Sequence, residues 1–143
     1  MNAEQFRTEL KIPAENDFIP LAKRVAASLG ALLNFTLEEI DELCIAVAQA
    51  CDSTIEQSHE TWGHGATLKL IYASNEKGIE VEVEAIGPRS PQALPTPRTA
   101  HPVQENEAAR LAREMIRLFV DEMKVDSGRG QLRLRLVKYH LIG

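Results

Sequence analysis

At 143 residues, 44% of them hydrophobic and 26% charged, the chain has the length and composition of one globular domain with its own core. Its formal net charge of −5 argues against generic binding to nucleic acid or to an anionic membrane. No run of about 18 apolar residues occurs, and Met1-Asn2-Ala3-Glu4-Gln5 lacks a basic stretch followed by an apolar one. The sequence therefore predicts neither a membrane span nor a signal peptide, and places the chain in the cytoplasm.

Phe6 to Ile12 alternates, with Phe6, Leu10 and Ile12 on one side, which predicts a first strand ending at Pro13. From about Asp17 to Leu33, the spacing of Phe18, Leu21, Ala22, Val25, Leu29 and Leu32 is that of an amphipathic helix. Thr36-Leu37-Glu38-Glu39 matches a capping box. The helix it opens carries Leu37, Ile40, Leu43, Cys44, Val47, Ala50, Cys51 and Ile55 at helical spacing and is expected to run to about Gln57. Strands are expected at Thr67 to Ala73 and Gly78 to Ile86, joined by the turn-forming Ser74-Asn75-Glu76-Lys77.

A proline-rich loop, with Pro88, Pro91, Pro95, Pro97 and Pro102, leads to a helix expected from about Gln104 to Met123. A last strand follows from Gln131 to Tyr139. Glu80, Glu82 and Glu84 alternate with Val81 and Val83, and Arg133 and Arg135 alternate with leucines, so glutamates should meet arginines on one exposed sheet face. The order predicts an α+β fold over residues 1–143: a two-layer sandwich whose helices pack on one face of a mixed, mostly antiparallel sheet. A nucleic-acid patch built from Arg129, Arg133, Arg135 and Lys138 is a competing reading of the basic residues. Loss of binding with salt would mark it.

Cys44 and Cys51 stand seven residues apart on one predicted helix, roughly 10 Å along its axis, too far for a disulfide. They read as small core side chains. His59, His64, His101 and His140 are scattered without zinc-type spacing and read as surface or loop residues. Trp62 is expected to anchor the connection Trp62-Gly63-His64-Gly65 on the core.

The run Ile45-Ala46-Val47-Ala48-Gln49-Ala50-Cys51-Asp52-Ser53-Thr54-Ile55 resembles the ATP-site helix of the anti-sigma factor serine kinases. These are small bacterial members of the gyrase/chaperone/histidine-kinase ATPase superfamily, in which the run reads roughly I-A-V-x-E-A-C-x-N-A. Ile12-Pro13-Ala14 and Leu136-Val137-Lys138-Tyr139 resemble the family's first and closing strands, and the order of elements matches its histidine-kinase-type ATPase fold.

The resemblance implies a nucleotide pocket at Gln49, Ser53, Ala85 and Gly87, but with altered chemistry. Gln49 replaces a glutamate, and a neutral amide cannot accept a proton as a general base must. Ser53 replaces an asparagine that helps hold Mg²⁺ in this family. Asp52 does not simply substitute for it, because one position along a helix turns a side chain by about 100°. Ala85-Ile86-Gly87-Pro88-Arg89 stands where the family has D-x-G-x-G, so the adenine acceptor becomes Ala85 and only Gly87 remains. The helix after the proline-rich loop opens with Gln104-Glu105-Asn106-Glu107, whose carboxylates would repel a triphosphate. Gly130-Gln131 lacks the hydroxyl of the family's final G-T.

The sequence thus predicts a non-catalytic regulator similar to anti-sigma factors, with a degenerate ATP site and no expected cofactor. It would act by partner switching on a sigma factor or an anti-sigma antagonist, as a homodimer, with no membrane or nucleic acid involved. The alternative is an active protein serine/threonine kinase using Mg·ATP, with Glu56 or Asp52 as the base, since phosphoryl transfer rests mainly on positioning and electrostatics.

Overall fold

The alternation of Phe6 to Ile12 forms β1 (Arg7–Pro13), in which Ile12 is buried and Leu10 half-buried. The structure, a computed structural model, describes residues 5–88, 107–126 and 132–140. A single 3-10 turn (Asn16–Phe18) leads into α1 (Ile19–Leu32). The buried face of α1 is Ala22, Ala26 and Gly30, while Phe18, Leu21 and Leu32 of the expected stripe are exposed. Small side chains at four-residue spacing let α1 lie close to its neighbours, and the Tyr72 hydroxyl donates to the Ala22 carbonyl at 2.9 Å.

The predicted capping box opens α2 (Leu37–Trp62): the Glu39 amide donates to Thr36 Oγ1 at 3.1 Å, and the Thr36 amide donates to Glu39 Oε1 at 2.8 Å. α2 runs five residues past the expected end at Gln57. No breaker intervenes before Gly63, and the Ser58 and Thr61 hydroxyls bond back to the Ile55 and Gln57 carbonyls. Gly63, at φ 73°, ends the helix and donates to the His59 carbonyl.

β2 (Thr67–Ser74) and β3 (Gly78–Ile86) form the predicted hairpin. α3 (Glu107–Phe119) is shorter than expected, because residues 122–126 leave the helix to form β4 (Glu122–Asp126) beside β5 (Leu132–Tyr139). β4 is a short edge strand carrying Glu122, Lys124 and Asp126, the charged composition that keeps an edge from pairing further. The five strands run in the order β1-β2-β3-β5-β4, and each described pairing is antiparallel.

One face of the sheet, with Leu68, Leu70, Tyr72, Val81, Val83 and Leu136, is buried with Leu43, Val47, Cys51 and Ile55 of α2 in one core. On the other, Arg133 pairs with Glu82 at 3.1 Å and Glu84 at 3.5 Å, and Arg135 with Glu80 at 3.2 Å, as the alternation predicted. Lys138 does not join these arginines: it is buried on the helix side, 3.4 Å from Glu42 of α2. Most of the proline-rich loop at 87–103, the start of its following helix, Arg129 and Gly130-Gln131 lie outside the described residues. Among the described residues, no helix is long and apolar enough to cross a membrane.

Candidate functional site

Gln49 and Ser53 stand one turn apart on α2 and both line a cleft of about 240 Å³ between α2 and α3. Ser53 is buried, 8% exposed, and Gln49 is half-buried. The wall from α3 is made by Ala108, Ala109, Leu111, Ala112 and Met115, and its alanines let the two helices approach. Asp52, Glu56 and Glu60 at four-residue spacing, a row of exposed carboxylates, complete the α2 side together with Gln57. Among the described residues, no lysine or arginine lines this cleft.

The cleft therefore presents negative charge, three neutral polar side chains (Gln49, Ser53 and Gln57) and an apolar wall. A neutral amide at Gln49 can orient a ligand by hydrogen bonds but cannot take up a proton.

Ala85 and Gly87 do not line the same cleft. Ala85, 3% exposed, faces the helix side of β3 with Leu68 and Leu132 as register neighbours. Its methyl offers no acceptor. Gly87 lies against Trp62, the last residue of α2, about 13 Å along the helix from Ser53. A methyl group at Gly87 would fall 2.8 Å from Trp62 Cε2 and 2.9 Å from Nε1, so the position serves a close approach. Trp62 packs on the core, as expected of an anchor.

Three histidines are more engaged than their spacing indicated. His140 stacks on Phe35 with centroids 5.2 Å apart, and its Nδ1 lies 2.9 Å from Glu39 Oε1. His59 and His64 meet each other and Glu15. No pattern in the linear sequence signals either group, since Glu39 is 101 residues from His140, Glu15 is 44 and 49 residues from His59 and His64, and the two rings meet across a chain reversal. His101 lies outside the described residues. Cys44 and Cys51 are unbridged; Cys51 is a core side chain whose thiol burial pushes up to about 12, whereas Cys44 is half-buried outside the core, its thiol raised by partial burial and 3.5 Å from the Lys23 carbonyl.

The anti-sigma F factor of Clostridium acetobutylicum is 30% identical to the chain over 126 residues, covering 87% of each. That of Thermoanaerobacter pseudethanolicus is 31% identical over 137 residues, covering 92% of each. The serine-protein kinase RsbW of Bacillus subtilis is 22% identical over 136 residues, covering 92% of this chain and 84% of its own. No protein-family model matches.

Proposed function

Because the chain belongs to the family of the anti-sigma F factors and serine-protein kinases RsbW, in the gyrase/chaperone/histidine-kinase ATPase superfamily, we propose that it is an anti-sigma regulator working by protein binding without phosphoryl transfer. The carrying observation is the pair Gln49 and Ser53 in the α2–α3 cleft, where the related pattern has a base and a metal ligand. A positioned general base contributes about 10²–10⁴-fold to a rate, and a glutamine supplies none of it. The row Asp52, Glu56 and Glu60 adds repulsion toward a triphosphate, with no lysine or arginine among the described lining residues to offset it.

Capture of a protein needs none of this chemistry. Its partner in this reading is a sigma factor or an anti-sigma antagonist. Leu111, Met115 and Leu118 form an exposed apolar stripe at i, i+4, i+7 on α3, beside the cleft, and suit a protein contact. The reading treats residues 1–143 as one domain acting in the cytoplasm. It also carries the homodimer implied by the family, which sedimentation would read as twice the chain mass of 15.9 kDa.

A second reading, an active serine kinase, is kept by one observation: Asp52 and Glu56 are carboxylates lining the same cleft, and a carboxylate can accept a proton. Co-expression with each sigma factor and antagonist of the source bacterium separates the two. The first reading predicts a stoichiometric complex whose affinity changes less than about twofold with Mg·ATP. Phosphoserine appearing on a bound antagonist would establish the second.

A further inference from the structure

Glu15 sits at the exit of β1, His59 in the last turn of α2, and His64 in the connection to β2. Gly63, at φ 73° and ψ −143°, reverses the chain so that the His64 ring returns over His59, their centroids 4.5 Å apart. The Glu15 carboxylate spans the two rings. Oε1 lies 3.0 Å from His64 Nδ1 and Oε2 lies 3.4 Å from His59 Nε2. The Ala14 carbonyl is 2.9 Å from the same His59 nitrogen.

We propose that Glu15, His59 and His64 form a binding site for one divalent transition-metal ion of the zinc class. Two imidazole nitrogens and one carboxylate are a donor set that suits zinc and neighbouring transition metals, whereas magnesium and calcium favour oxygen alone. A tetrahedral ion with bonds of about 2.0–2.1 Å holds its ligands roughly 3.4 Å from one another. One donor atom from each residue already lies within 4.8 Å of the other two, and each histidine nitrogen lies close to one oxygen of the carboxylate, His64 Nδ1 at 3.0 Å from Oε1 and His59 Nε2 at 3.4 Å from Oε2.

One carboxylate faces two rings, and each ring presents a nitrogen to it. A neutral imidazole nitrogen offers a lone pair to a metal. His64 is 77% exposed, giving an ion a path from solvent, while His59 is tethered by the Ala14 carbonyl. An ion taken by His59 Nε2 replaces the proton shared with Ala14 and leaves that carbonyl as an adjacent oxygen donor. The ion would tie the exit of β1 to the loop after Trp62, the residue that covers Gly87.

The test uses the full chain without an oligohistidine tag, stripped with chelator and titrated with Co²⁺, then with Zn²⁺ as competitor. The expected result is one Co²⁺ per chain with visible absorption, displaced by Zn²⁺, and a thermal midpoint raised by Zn²⁺. His64→Ala changes an exposed side chain and should fold; it should bind at least about tenfold more weakly and lose the absorption band. Glu15→Gln should weaken binding likewise. Absence of binding at millimolar Zn²⁺ would overturn the site, as would equal binding by the wild type and both variants.

Discussion

Gly87 and Trp62 show how one missing side chain sets the packing at the end of β3. A methyl at residue 87 meets two indole atoms inside 3 Å, so the ring must lift or the strand must shift. Gly87→Ala should therefore cost about 1–3 kcal/mol in denaturant unfolding. Trp62→Ala removes the crowding atoms, so the double variant should lose less than the sum of the two single losses. Strict additivity would mean that the indole is not what Gly87 accommodates. At the cleft the same scale decides chemistry. Glutamine and glutamate occupy nearly the same volume, but only the carboxylate can accept a proton at neutral pH.

At the scale of elements, α2 depends on its first turn. Thr36→Ala should cost about 1 kcal/mol by freeing the Glu39 amide. Glu39→Ala should cost more, because that carboxylate serves both the Thr36 amide and His140. Chemical denaturation of both variants checks the order, and equal losses would remove His140 from the account.

This start was legible in Thr36-Leu37-Glu38-Glu39 because a capping box is a local pattern, and the strands were legible because alternation is local too. The face of α1 was legible in part, since Ala22, Val25 and Leu29 of the expected stripe meet the core while Phe18, Leu21 and Leu32 are exposed. Periodicity marks Leu21 and Leu32 as apolar, but the close approach is made by Ala22, Ala26 and Gly30, whose small size carries little hydrophobic signal. β4 was hidden because Met123 continues the helical stripe of α3, and only pairing with β5 makes it a strand. At the candidate site, Gln49 and Ser53 could be found from the resemblance. The carboxylate row and alanine wall that surround them required α3 to be laid beside α2. The meeting of Glu15, His59 and His64 is wholly tertiary and left no mark in the sequence.

At the scale of the molecule, a five-stranded antiparallel sheet carries α1 and α2 on one face and ion pairs on the other, with the cleft formed where α3 meets α2. The described elements form an α+β sandwich consistent with that of an ATPase family, and the proposed function turns on Gln49 and Ser53 of its helix α2. Protein binding draws on surface shape and apolar area, so it survives changes there, whereas phosphoryl transfer draws on placed charge and does not. The most direct test is calorimetric titration of the purified full chain with Mg·ATP and Mg·ADP, with thermal unfolding followed in parallel. The account predicts no binding heat and no shift of the midpoint up to millimolar nucleotide. Binding of Mg·ATP at micromolar concentration, with a raised midpoint, would contradict it and bring the kinase reading to the front.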